Sequence, residues 1–146
     1  MCRDRDRAPL ITAFAIGRRV PAYVLLGMLR FVLPLPMLVR LAWREPSTPP
    51  PTTPEEDAVA VVIKLGHLPL GDRNCLHRSL MLYRELSYRG ADPELIVGFR
   101  RDAGRLVGHA WVVARGRLVA DDDENVGTFV PACRFGSRGA LRTDAA

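Results

Sequence analysis

Apolar and polar positions alternate most regularly in LVGHAWVVARGRLVAD, from Leu106 to Asp121. Val107, His109, Trp111 and Val113 fall on one face and Leu106, Ala110 and Val112 on the other, the two-residue period of a strand buried on both sides. Ala114-Arg115-Gly116 fits a three-residue hairpin loop, a type I turn closed by a left-handed glycine. That loop pairs Val113 with Arg117 and sets His109 opposite Asp121, with Cβ atoms roughly 4.5–5.5 Å apart. A two-residue loop, Arg115-Gly116, instead pairs His109 with Asp122 and turns Asp121 to the other face. Upstream, Glu94–Arg100 reads as another strand and Arg101–Arg105 as a polar turn. Two helices precede these strands. Thr53-Pro54-Glu55-Glu56 predicts a start with Thr53 as cap, Val59, Val62 and Ile63 form its stripe, and Gly66 ends it. His67 then falls in a loop, on the solvent side. Leu76, Leu80, Tyr83 and Leu86 mark the second helix, with Asp72 or Asn74 as cap and Gly90 as terminator.

From Leu10 to Trp43 the pattern changes to apolar runs broken by Arg18-Arg19, Arg30 and Arg40. The longest charge-free runs, Val20–Leu29 and Phe31–Val39, are about half of the roughly 20 residues a spanning helix needs. They predict two short helices, about 8–17 and 20–32, ended by Pro34 and Pro36, with a third turn through Met37–Trp43. Such a surface either covers the domain or binds a protein partner, or it lies on a membrane with its arginines at the headgroups. A proline-rich linker follows at Glu45–Thr52. At the other end, Asn125–Pro131 is expected as a loop or short strand, and the small, polar chain from Arg134 is expected to fray. The resulting map is an apolar, basic segment over 1–45, a linker over 46–53, a domain over 54–132 and a flexible tail over 133–146.

Composition narrows the classes. At 146 residues, with 48% hydrophobic and 25% charged positions, the chain fits one globular domain with a modest core. Its net charge of +5 resides wholly in residues 1–45, because the remainder balances its basic and acidic residues. An anionic surface or an acidic partner suits that excess. Cys2, Cys75 and Cys133 are odd in number, lack C-x-x-C or zinc spacing, and fit a reduced cytoplasm. The N-terminus has the form of no signal peptide, since acids interrupt its basic residues. Neither a cofactor, a metal nor a nucleic-acid partner is expected.

The candidate chemistry lies in Cys75, His109 and Asp121. Cys75 falls in the first turn of its helix, where the positive end of the dipole favours a thiolate. A cysteine peptidase or acyltransferase needs that nucleophile, an imidazole to exchange its proton and a third group to orient the imidazole. The competing explanation is a structural cysteine beside a buried His–Asp pair. His77 points away from Cys75 on the helix and is assigned a structural or surface role. Trp111 is core or a cleft wall, Asp122 and Asp123 face solvent or a loop, and Cys2 and Cys133 have no catalytic company.

The pattern Asn74-Cys75-Leu76-x-Arg78-Ser79-Leu80, then Gly90, Ile96-Val97-Gly98-Phe99-Arg100, Gly108-His109-Ala110-Trp111-Val112 and Asp121, resembles the transglutaminase-like leader peptidases of lasso peptide biosynthesis. The resemblance runs from about Glu55 to Val130, although Val113 stands where that family often has an acid. It implies an α+β fold with a papain- or transglutaminase-like core: cysteine on a helix N-terminus, histidine and aspartate on adjacent antiparallel strands, and short apolar helices in front. It also implies that Cys75, His109 and Asp121 are the catalytic residues. The implied partners are a precursor peptide, a separate leader-binding protein and a macrocyclase. A transglutaminase-type thiol acyltransferase and a non-catalytic peptide- or membrane-binding module are the alternatives.

Overall fold

A computed structural model describes residues 8–67 and 74–143 and places helices first in the chain and the sheet afterwards. Strands β1 (Pro93–Asp102), β2 (Arg105–Ala114), β3 (Arg117–Val119), β4 (Val130–Phe135) and β5 (Leu141–Arg142) form one antiparallel sheet in the order β3-β2-β1-β4-β5. Helices α1 (Ala8–Leu29), α2 (Leu35–Ala42), α3 (Glu55–Gly66) and α4 (Cys75–Tyr88) form the other layer, and the short α5 (Asp123–Gly127) precedes β4. The architecture is α+β.

Alternation along β1 and β2 gives the sheet two buried faces. Leu95, Val112, Ala114 and Phe135 join Leu80, Tyr83 and Leu86 of α4 in the main core, while Ile96, Trp111 and Phe129 form a smaller cluster on the opposite face. Leu80, Leu86 and Leu95 are fully buried, so truncating any of them to alanine costs about 2–5 kcal/mol.

The turns are tighter than the sequence suggests. β1 and β2 pair as far as Asp102 and Arg105, leaving only Ala103 and Gly104 between them. Between β2 and β3 the expected three-residue loop is replaced by a two-residue one: Ala114 pairs with Arg117 and Val113 with Leu118. Arg115 and Gly116 both have positive φ, 49° and 74°, the form of two-residue turn whose twist matches that of the strands it joins.

The N-terminal segment also departs from its pattern. Instead of two short helices, α1 is one helix of 22 residues running through Arg18-Arg19 and Pro21. Pro21 lacks the N–H that would bond the Gly17 carbonyl, but Tyr23 and Leu26, 5% and 3% exposed, fix the second half of α1 in the core. Leu38, Val39 and Ala42 of α2 are buried there too. The inner face of this segment therefore covers the domain.

Three further expectations are corrected. Pro54, not Thr53, occupies the cap position of α3, because Thr53 Oγ1 accepts from Arg89 Nη2 at 2.8 Å. The inward stripe of α3 is Ala58, Val61, Val62 and Leu65, leaving Ile63 exposed. The chain beyond Arg134 does not fray before Arg142: it completes β4, turns through Ser137–Gly139 and adds β5. The buried Tyr83 hydroxyl holds that turn, donating to the Gly136 carbonyl at 2.5 Å and accepting from the Gly139 N–H at 2.9 Å. Gly139 has φ of 66°, and a Cβ there would lie 2.8 Å from the Arg40 backbone nitrogen.

Candidate active site

Helix α4 begins at Cys75 because Asn74 Oδ1 accepts from the Leu76 N–H at 2.9 Å. The other candidate cap, Asp72, lies outside the described residues. Cys75 is half-buried. One turn further on, Ser79 Oγ donates to the Ala110 carbonyl at 2.9 Å, which fastens the start of the helix beside His109. That attachment lies on β2 beyond Val112–Ala114, the three residues that pair with β3.

His109 clusters with the rings of Trp111 and Phe129, whose centroids lie 5.9 and 5.0 Å from its own and 6.4 Å from each other. Trp111 can lie this close to the sheet because its diagonal neighbour on β1 is a glycine. A Cβ on Gly98, the pairing partner of His109, would lie 2.8 Å from the indole and 2.7 Å from the Val130 carbonyl. His109 Nε2 donates to Asp121 Oδ2 at 2.8 Å, in a site where the two side chains are 13% and 9% exposed. A carboxylate accepts only, so Nε2 carries the proton and Nδ1 keeps its lone pair in the neutral ring.

Asp121 reaches the imidazole although the strand register predicts otherwise. With the two-residue turn, continued pairing would carry Asp121 to the wrong face. The ladder stops at Val119, and Ala120 adopts a left-handed conformation with φ of 55°, which breaks the alternation and returns Asp121 to His109. Its carboxylate is held from two more directions: Arg78 Nη2 donates to Oδ2 at 3.1 Å and the Asp122 N–H donates to Oδ1 at 2.9 Å. Arg78, three residues after Cys75 on α4, thus links the cysteine's helix to the His–Asp pair. The structure joins His109 and Asp121 directly and brings Cys75 toward them through Arg78 and Ser79. Among the described residues, no hydrogen bond links the Cys75 thiol to the imidazole.

Residues 17–134 match the family model of the transglutaminase-like superfamily. The chain belongs to that superfamily. No curated protein and no solved structure matches the chain. A transglutaminase-like domain is a fold of cysteine peptidase and acyltransferase type. In this transglutaminase-like domain the aspartate stands two residues past β3 rather than on a strand adjacent to that of the histidine.

The remaining polar candidates have other roles. His77 is buried, its Nε2 donating to the Tyr23 carbonyl at 2.7 Å and its ring stacked on Tyr23 at 4.0 Å. His67 is exposed at the end of α3. Asp122 accepts from the Glu124 N–H at 3.2 Å and caps α5, while Asp123 is exposed in its first turn. Burial pushes the Cys133 thiol up from its ordinary value, which suppresses its thiolate. Cys2 lies outside the described residues. Arg78, quoted in the cysteine block without a role, and Phe129 are the site residues whose part the sequence did not show. For Arg78 the signal was its i, i+3 spacing from Cys75; Phe129 falls in a segment without a periodic pattern.

Proposed function

We propose that this transglutaminase-like chain is a cysteine endopeptidase that removes the leader from a ribosomally made lasso peptide precursor. Leader recognition falls to a separate protein, and the freed core amine passes to a separate macrocyclase. The observation that carries the reading is the His109 Nε2–Asp121 Oδ2 bond, tied by Arg78 to the helix that begins at Cys75. The spacing of the Cys75, His109-Ala110-Trp111 and Asp121 blocks supports the choice of substrate.

In this mechanism Nδ1 of His109 takes the Cys75 thiol proton and the thiolate attacks the carbonyl of the leader–core peptide bond. The tetrahedral adduct expels the core amine, which leaves with the proton from Nδ1. Water, deprotonated by Nδ1, then attacks the thioester and releases the leader as a carboxylic acid while the thiol is restored. Asp121, bonded to Arg78, holds the tautomer that keeps Nδ1 as the base. The Cys75 N–H, as the first of α4, has no acceptor within the helix, whereas that of Leu76 is taken by Asn74; among the described residues it is one donor available to the oxyanion.

Incubation with a precursor and its leader-binding partner is the test. Leader release by the native chain and its loss in Cys75→Ala are expected. Cleavage that persists in Cys75→Ala overturns the reading, and incorporation of an added amine in preference to water assigns the site to acyl transfer instead.

A further inference from the structure

The inner face of α1 is explained by the core, but its outer face is equally apolar. Phe14, Pro21, Val24, Leu25 and Met28 are exposed at spacings of three and four residues, on one side of the helix. The strip runs on through Phe31 and Val32 in the turn into α2, where Met28, Phe31 and Val32 are 66–78% exposed. Between residues 8 and 44 the chain carries five arginines and no carboxylate. Arg19 turns inward to Glu85, but the guanidinium of the exposed Arg18 lies 5.9 Å from the Phe14 ring, so a cation borders the apolar strip. At the Phe14 end, a groove of about 450 Å³ between α1 and α3 adds Lys64 and Arg89 to Arg18 and Arg19, with Asp57 as its only acid.

We infer that this face docks on an anionic phospholipid bilayer, with the apolar side chains in the interface and Arg18 and Lys64 at the headgroups. An apolar strip with cations at its margins is what an interfacial helix needs. A second copy of the same face would bring like charges together. No described helix is long and apolar enough to cross a membrane, so α1 lies along the surface, about 33 Å end to end. This docking is independent of the peptidase chemistry, since it involves none of Cys75, His109 and Asp121.

Flotation of the full chain with vesicles of phosphatidylglycerol in phosphatidylcholine, compared with phosphatidylcholine alone, tests the inference. Binding is expected only to the anionic vesicles and weakens as salt rises. Arg18→Ser lowers the partition about fivefold. Met28→Glu combined with Phe31→Glu abolishes it while circular dichroism stays native, because both side chains are exposed. Absence of flotation at low salt, equal binding to both vesicle types, or native-level binding by the Met28→Glu, Phe31→Glu variant overturns it. Saturable binding of the leader-binding protein to this face without flotation overturns it as well and assigns the strip to a protein partner.

Discussion

The two ends of α4 use similar groups for different ends. Toward the C-terminus, Glu85 pairs with Arg19 at 2.8 Å, Ser87 Oγ accepts from the Arg44 N–H, and Tyr83 closes on Gly136 and Gly139. These groups are buried, and their bonds hold α1, the segment after α2 and the last turn in place. At the N-terminus, Arg78 pairs with Asp121 and Asp121 with His109, again an ion pair and a polar link to another element. The difference is what remains unused. Nε2 of His109 is committed and Nδ1 retains its lone pair, on the strand that Ser79, one turn past the half-buried Cys75, bonds at Ala110. His77, two residues from Cys75, belongs with the structural groups: its ring is stacked on Tyr23 and its Nε2 bonded to backbone. A histidine near a cysteine is therefore no marker of chemistry by itself; a ring nitrogen left available is what the proposed chemistry requires.

Breaking the comparison at the proposed catalytic end should give the largest effect. Asp121→Asn is expected to lower kcat for precursor cleavage by about 10³–10⁴-fold, a loss of the kind seen when the orienting acid of a triad is neutralised, with little change in unfolding free energy. Asp122→Asn, which touches only the cap of α5, should stay within about threefold on the scale of single exposed caps. Equal losses in the two would break the distinction.

At the structural end the signs reverse. Glu85→Ala strands Arg19 in a site where the two side chains are 19% and 6% exposed, and urea unfolding should show a loss of about 3 kcal/mol with kcat per folded molecule retained. Tyr83→Phe, which removes two hydrogen bonds, should cost about 1–3 kcal/mol. Burial raises the Tyr83 pKa from 10.0 to about 12 in the folded chain. Folding thus favours the protonated phenol: its contribution is whole below pH 10 and is lost as pH rises from 10 to about 12. Stability measured across that window should fall in the native chain and fall less in Tyr83→Phe. The smallest effect is expected at the exposed Thr53, whose hydroxyl serves the half-buried Arg89 rather than a helix cap. Thr53→Ala should cost less than about 1 kcal/mol, and nothing further in an Arg89→Ala background.

How far the sequence carried depended on whether local chemistry or tertiary contact decided each feature. The Cys75 helix, its Asn74 cap, β1 and β2 follow from period and capping residues. The meeting of His109 and Asp121 was also expected, but for a reason the structure replaces. The three-residue loop proposed at Ala114–Gly116 is a two-residue turn, and contact is restored by a left-handed Ala120. Nothing in the sequence marks that alanine, since the residues that ordinarily signal such a conformation are glycine and asparagine. Likewise, α1 continues through Pro21 because Tyr23 and Leu26 are held in the core, and the last strands are ordered by Tyr83, some fifty residues upstream. These contacts lie far apart in the chain, where local propensity has no reach.

The measurement that bears most directly on Cys75, His109 and Asp121 acting as one unit is the rate of precursor cleavage, with the leader-binding partner present, by Cys75→Ala, His109→Ala and the double variant. Each single change should abolish the catalysed rate and the double should lose no more, as groups that act together do. Cleavage that survives Cys75→Ala, or losses that multiply in the double variant, would contradict it.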